Sequence, residues 1–458
     1  MYQYHLAIDI GASSGRHILA HLEDGKIITE EIYRFENYLV DLDGVKVWDI
    51  DNLIKQVKLG LIECKNIGKI PCTIAIDTWG VDYCLLDENK KEILPVVSYR
   101  DSRTETSQIE VSKILPQSAL YAKTGIQKQN FNTIYQLYCD KCSGKLSRAK
   151  HFLMIPEYLS FKLTGVIKNE YTNATTTNLV NANTKEWDKD ILDALGIDAS
   201  IFKKLSLPCE VLGGFTRKTK DELGFDSTVI LCPSHDTASA VAAIPTDTSS
   251  VYVSSGTWSL IGTENLTPIL SNDALNMNFT NEGGIEYRFR FLKNIMGMWL
   301  FQNIRKNLDK KYTYDQMMNM AMQSKFTERI DPTDKMFLAP KNMIDAVREY
   351  LGNPELEIAD VLSSVYHSLA FSYAKAIKEI EEICQKEITS IHIVGGGSKD
   401  KYLNQLTAKY TGKKVYVGLT EATALGNILS QIMYSQNINL EQAREIVKNT
   451  FKISEVQI

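Results

Sequence analysis

The chain has no run of apolar residues approaching the ~18 needed to cross a bilayer, so no transmembrane helix is expected. It lacks an excess of basic residues: 51 Lys+Arg against 56 Asp+Glu give a net charge of −5, spread without blocks. That balance removes the electrostatic footprint of a nucleic-acid binder. Cysteine is sparse, eight in 458 residues. The opening MYQYHLAIDIG has neither a basic leader nor a long apolar stretch, so no secretory signal is read there. The cysteines are therefore expected as thiols in a reducing compartment. Cys139 and Cys142 form a CxxC with no second Cys/His pair at similar spacing, which reads as incidental surface thiols rather than a zinc site. Also missing are a Walker A pattern, a GxGxxG fingerprint and a GxSxG elbow, which disfavours P-loop, Rossmann and α/β-hydrolase chemistry.

What remains is a composition of 44% apolar and 23% charged residues, that of a globular protein, at a length of roughly two to three domains. A soluble cytoplasmic enzyme is the leading expectation. Tyr4–Ile10 (YHLAIDI) reads as a strand, Gly11–Gly15 as a turn and Arg16–Leu22 as a returning strand. A helix is expected over Asp51–Lys65, then strands at Cys72–Ile76 and Val81–Leu86. Ser250–Gly262 (SVYVSSGTWSLIG) repeats the opening hairpin and suggests two related domains. We place the boundary in the turn-rich IPTDTSS, giving domains 1–244 and 245–458, each with a mixed sheet. A long amphipathic helix over about Leu356–Cys384 precedes the strand Ile391–Val394, the triplet Gly395–Gly397 and a helix around Leu403–Tyr410. His367 in the long helix reads as a satisfied structural histidine.

Three strand–turn junctions carry chemistry. In Asp9-Ile10-Gly11-Ala12-Ser13-Ser14-Gly15-Arg16 the Gly/Ser turn can present backbone N–H groups to an anion, Asp9 can hold Mg²⁺ through water, and Arg16 can offset phosphate charge. An ordinary hairpin turn fits the same residues. Ser254–Thr257 and Gly395–Gly397 offer two further turns after apolar strands, an arrangement suited to a nucleotide. Asp236, in Ser234-His235-Asp236-Thr237, opens an alanine-rich helical run. It suits either a helix cap or the acceptor of a hydroxyl proton late in phosphoryl transfer. Trp79 can offer an apolar face to a sugar or pack in the core. Arg100 can bind substrate or pair with Asp101, and the polar stretch Tyr171–Thr177 can line a cleft or serve as caps and turns.

Taken together, DIGASSGR (9–16), AIDTWGVDY (75–83), YRDSR (99–103), EYTNATTTNLV (170–180), SHDTASAV (234–241), SSGTWSL (254–260), LKNIMGMW (292–299) and IHIVGGG (391–397) resemble the FGGY carbohydrate kinases. Ser234 stands where that family usually has glycine, a departure that points to its L-rhamnulose branch. The resemblance implies an α/β fold of two actin-like (ribonuclease H-like) ATPase domains with an interdomain active-site cleft. It implies transfer of the γ-phosphoryl group of ATP to O1 of L-rhamnulose with Mg²⁺, by a monomer or homodimer. Asp236 matches the family's proton acceptor. Ala12, Ser13, Ser14, Gly15, Arg16, Thr257, Gln302 and Gly396 match ATP contacts. Gly80, His235, Asp236, Thr237 and Asn294 match sugar contacts, with Trp79 beside them, and Asp9 matches the metal position. Another ketose of the same chemistry, L-fuculose or L-xylulose, is the alternative, followed by a non-catalytic actin-like nucleotide-binding protein.

Overall fold

The computed structural model describes residues 2–338 and 340–457, which form two compact units. The first runs through Pro245 and regains the chain at Asn265–Phe291 and Ala422–Thr450. The second holds Thr246–Glu264, Leu292–Glu421 and the residues from Phe451 on. None of the helices among the described residues is long and apolar enough to cross a membrane.

In the first unit β1 (Tyr4–Ile10), β2 (Ser14–Glu23), β3 (Lys26–Glu36), β4 (Pro71–Thr78), β5 (Val211–Gly214) and β6 (Thr228–Ile230) form one sheet, ordered β5-β6-β4-β1-β2-β3. Strand β1 runs antiparallel to β2 and parallel to β4, so the sheet is mixed. The returning strand starts at Ser14, two residues earlier than expected, because Gly11 N–H closes onto Ser14 O at 2.8 Å and shortens the turn. Helix α1 (Ile50–Asn66) begins where Asp49 accepts from Asn52 N–H at 2.9 Å. Its Leu53, Val57, Leu61 and Cys64 recur at helical spacing and pack with Leu6, Ile8, Ile74 and Ile76 of the sheet. The strand expected from Val81 starts at Tyr83 instead, since Val81 lies at φ 67° in a turn.

Three later helices complete this unit: α2 (Asp236–Ala242), α3 (Ala422–Gln436) and α4 (Leu440–Thr450). Helix α3 reaches the sheet through polar side chains. Gln431 donates to Leu6 O at 3.0 Å, and Asn427 donates to Ala75 O at 3.1 Å. It crosses α2 so closely that a Cβ on Gly426 would lie 1.7 Å from Ser239 O.

The second unit repeats the motif. Strand β7 (Ser250–Ser255) runs antiparallel to β8 (Trp258–Asn265) and parallel to β9 (Ser390–Val394), which continues to a strand at Lys414–Val417. The helix before β9, Ile358–Cys384, buries Val361, Leu362, Val365, Leu369, Tyr373, Ile377 and Ile380, the stripe its spacing predicts. His367 is buried with its Nδ1 2.8 Å from the Tyr410 hydroxyl, a satisfied structural histidine. Cys139 and Cys142 end the helix Thr133–Cys142 as free thiols.

Candidate active site

Parallel pairing of β1 and β4 puts Asp9 opposite Asp77 at the strand ends. Both are buried. Arg16, facing Asp9 across the β1–β2 ladder, donates Nε and Nη2 to Asp9 Oδ2 at 2.9 and 2.7 Å. Burial raises the Asp9 carboxyl against the pull of Arg16, and the charge of Asp236 raises it further. Asp77 is pushed well above the carboxylate range by burial, then by Asp9 and by Asp236, with an opposing bond of 2.6 Å from Asn427 to Oδ2. Three acidic side chains therefore share one corner. Yet no group of three or more His, Cys, Asp or Glu among the described residues is arranged to hold a metal ion directly.

The turn 11–15 is pinned by Asn37, which donates from Nδ2 to Gly11 O at 2.9 Å and from its backbone N to Ser13 O at 3.0 Å. Gly15 must be glycine, since a Cβ there would lie 2.1 Å from the Phe35 ring. These contacts tie the carbonyls of Gly11 and Ser13 to Asn37.

The Ser234–Thr237 segment is held to β4 by Thr78 N–H, which donates to Ser234 O at 2.9 Å. Ser234 shows why a side chain stands here. Its hydroxyl and its N–H both donate to buried Glu170, at 2.6 and 3.1 Å. Glu170 also caps the short helix Tyr171–Thr175. Of the two readings for Tyr171–Thr177, cap-and-turn bonding is what the contacts describe: the hydroxyls of Thr175, Thr176 and Thr177 donate to Thr172 O, Asn173 O and Ala174 O at 2.7, 2.8 and 2.6 Å. Thr176 Oγ1 accepts from Val81 N–H at 3.1 Å, and Thr175 Oγ1 from Gly283 N–H at 2.8 Å. Thr176 also packs close to Gly80, where a Cβ would lie 3.1 Å from its side chain. Trp79 is packed, its ring 4.2 Å from that of Trp48, and both indoles donate to Asp82 Oδ2. Arg100 lies over the Tyr99 ring and donates to its hydroxyl, rather than to Asp101, whose Oδ2 accepts from Lys46 N–H.

Asp236 projects from the first turn of α2 with its side chain about a third exposed. Oδ1 accepts from Thr237 N–H and from Thr237 Oγ1 at 3.1 Å, and lies 3.4 Å from His235 Nε2. Behind His235 stand Glu282 and Arg290, with Glu282 Oε2 3.3 Å from Nδ1. Burial pushes the Glu282 carboxyl up, but Arg290 and His235 more than offset it and hold it below its usual range.

In the second unit the remaining turns are joined locally. Thr257 O accepts from Gly297 N–H at 3.2 Å and Trp299 N–H at 3.1 Å, which ties the hairpin to the helix carrying Gln302. A Cβ on Gly397 would lie 2.0 Å from Ser255 Oγ, whereas one on Gly396 meets nothing within 4 Å. Asn294 Oδ1 is buried with no hydrogen-bond partner.

The residues expected from sequence thus fall into two local groups: Asp9, Ala12–Arg16, Trp79, Gly80 and His235–Thr237 in the first unit, and Thr257, Asn294, Gln302 and Gly396 in the second. Sequence reasoning missed Asp77, Asn427, Glu170, Glu282 and Arg290. Asp77 stands one residue from the end of its strand, as Asp9 does, and Arg290 alternates with aromatic residues in YRFRFL (287–292). Those two were readable signals.

The sequence profile of the FGGY family of carbohydrate kinases, N-terminal domain, matches residues 4–243, and that of the C-terminal domain matches 251–435. The chain belongs to that family. Rhamnulokinases from Oceanobacillus iheyensis and Halalkalibacterium halodurans are 46% and 47% identical to it, over 99% and 98% of this chain and 98% of each relative. The rhamnulokinase of Bacillus subtilis is 42% identical over 98% of this chain and 94% of its own. Among solved structures, xylulose kinase from Lactobacillus acidophilus superposes with a TM-score of 0.84 at 18% identity, covering 99% of this chain and 93% of that one. Plasmodium falciparum glycerol kinase with ADP gives 0.78 at 15%, covering 99% and 94%. As an FGGY kinase, the chain has the two-domain actin-like fold and acts on small molecules with ATP.

Proposed function

We propose that this FGGY kinase transfers the γ-phosphoryl group of ATP to O1 of L-rhamnulose, with Asp236 as the proton acceptor. The observation that carries the role of Asp236 is its two unlike oxygens. Oδ1 is engaged by Thr237 and faces His235, whereas Oδ2 has no hydrogen-bond partner among the described residues. As the bond from O1 to γ-phosphorus forms and the bond to the β-bridging oxygen breaks, the O1 proton passes to Oδ2. In a loose phosphoryl-transfer transition state that proton leaves late, so placement matters more than base strength. No phospho-enzyme is needed.

His235, Thr237, Asn294 and the backbone at Gly80 supply the hydroxyl contacts, and Trp79 shapes the wall behind Gly80. Asn294 brings an unpaired buried acceptor suited to a sugar hydroxyl. Ala12–Arg16, Thr257, Gln302 and Gly396 take the nucleotide, so both 1–244 and 245–458 supply ATP contacts, while the base and every named sugar contact except Asn294 lie in 1–244. The acidic corner fits Mg²⁺ held through water by Asp9 and Asp77: Asp77 Oδ1 is buried with no hydrogen-bond partner, and the charge of Asp236 raises both carboxyls. When bound with ATP, the ion screens phosphate charge. The enzyme works in the cytoplasm, as a monomer or homodimer.

The identity of 42–47% to rhamnulokinases favours L-rhamnulose over L-fuculose or L-xylulose. Coupled ADP release with L-rhamnulose, L-fuculose, L-xylulose, D-xylulose and glycerol tests the reading. The highest kcat/KM is expected with L-rhamnulose. Equal or better turnover of another ketose reassigns the substrate, and no sugar-stimulated ADP release makes the chain non-catalytic.

A further inference from the structure

Arg290 is among the largest fully buried side chains of the described residues, and it carries a charge. A buried guanidinium is costly, and an ion pair around it is poor stabilisation compared with apolar packing of the same volume. Its placement therefore asks for a purpose. Nε donates to Gly283 O at 3.0 Å. Nη2 lies 3.0 Å from Glu282 Oε2 and 3.1 Å from His235 Nδ1. On the far side of the ring, His235 Nε2 lies 3.4 Å from Asp236 Oδ1.

Two groups face Nδ1, Arg290 Nη2 at 3.1 Å and Glu282 Oε2 at 3.3 Å, and the nearer one selects the arrangement of hydrogens. A guanidinium has donors and no acceptor, so Arg290 meets the lone pair of Nδ1. An ionised carboxylate has acceptors and no donor, so the ring hydrogen belongs on Nε2, facing Asp236. We propose that Arg290, oriented by Glu282, is a positioning residue that fixes His235 as the Nε2–H tautomer and thereby holds Asp236 Oδ1, leaving Oδ2 turned to the sugar hydroxyl. The strand that carries Glu282 is itself fixed: Thr175 Oγ1 accepts from Gly283 N–H, and a Cβ on Gly283 would lie 2.6 Å from the Tyr171 ring. Neither Glu282 nor Arg290 touches the sugar in this scheme. Both act through His235. The inference rests on the proposed role of Asp236, and its test separates the two.

The test uses the full chain with ¹⁵N-labelled histidine at pH 7.5. The His235 ring is identified by its loss in His235→Gln. Long-range ¹H–¹⁵N spectra are expected to show hydrogen on Nε2 and a bare Nδ1. Hydrogen on Nδ1, alone or with Nε2, overturns the proposal. In Arg290→Met, hydrogen is expected to move to Nδ1, where Glu282 can accept it. Its kcat should fall about tenfold to a hundredfold, the scale for outer partners that orient a metal-binding histidine, with KM for ATP within about twofold. Arg290→Lys keeps a donor and should recover part of kcat. Unchanged kcat in folded Arg290→Met, or no recovery in Arg290→Lys, overturns the role. If Arg290→Met does not fold, the native spectrum decides. That spectrum reads the ring whatever Asp236 does, so turnover surviving Asp236→Asn would remove the proton-acceptor reading and leave the tautomer result standing.

Discussion

Asp9 and Asp77 are paired residues on adjacent parallel strands, both buried, and only Asp9 has a guanidinium against it. Asp77 has a neutral amide donor from Asn427 and the charges of Asp9 and Asp236 nearby. Both carboxyls are raised, Asp9 against the pull of Arg16 and Asp77 well above its ordinary value, so Asp77 is the one driven further towards its protonated form.

That asymmetry predicts a pH-dependent stability. The folded-state pKa of Asp77 lies well above the unfolded value of about 3.9, so the folded protein binds more protons than the unfolded chain in the window between. Its favourable contribution is complete below about pH 4 and is lost as pH rises through the folded pKa. Asp77→Asn imitates the protonated form at every pH and keeps an oxygen for Asn427. The variant is expected to melt at a higher temperature than the native protein at pH 7.5, with the gap closing towards pH 4. Thermal melts across that range check it, and a gap that widens on acidification would refute the assignment.

Asp236→Asn preserves shape and the contacts of Oδ1 but removes the acceptor for the sugar proton. Turnover is expected to fall by about 10²–10⁴, the usual contribution of a general base, with ADP affinity by calorimetry unchanged. Near-normal turnover would take Asp236 out of the mechanism.

The strand carrying Asp9 and the long helix at Ile358–Cys384 were legible because their signals are local: alternation in one, a stripe of apolar residues at helical spacing in the other. The turns were legible because glycine and serine mark them. Asn427 was not, because it reaches Asp77 across 350 residues of sequence. Glu282 and Arg290 were missed for the same reason, since pairing with His235 depends on which strand returns to the first unit. Trp79 and Asp82 stand three residues apart, yet the second indole on Asp82, that of Trp48, arrives from another strand.

The glycine triplet offers a contrast that separates folding from binding. Gly395 lies at φ 80°, and a Cβ there would be 2.9 Å from Ser255 O. Gly395→Ala should cost about 1–3 kcal/mol of stability through backbone strain and lower ADP affinity with it. Gly396→Ala adds a methyl into open space. It should leave the melting temperature unchanged and weaken ADP binding alone. Equal ADP affinity in native protein and Gly396→Ala would show that nucleotide does not approach this turn.

Asp82 joins the wall at Trp79 to the rest of the first unit. Its Oδ2 accepts from Trp48 Nε1 at 2.6 Å, Trp79 Nε1 at 3.0 Å and Tyr99 N–H at 3.1 Å, and its Oδ1 accepts from Gln136 Nε2 at 3.1 Å. Burial raises its pKa, and these four donors act against that. Asp82→Ala would leave both indoles and Tyr99 N–H without an acceptor in a dry interior, where each unmet donor costs about 1–3 kcal/mol, while Gln136 Nε2 keeps Val81 O and Phe131 O. Refilling by water limits the sum, so a loss of about 3 kcal/mol or more is expected in denaturant unfolding. Asp82→Asn keeps the oxygen for the indoles but turns an amide towards the Gln136 donor, a milder conflict. If Trp79 is held for the sugar, Asp82→Asn should raise KM for the ketose several-fold while KM for ATP stays put. Proportional changes in both would mean that the Trp79–Asp82 bond serves the fold alone.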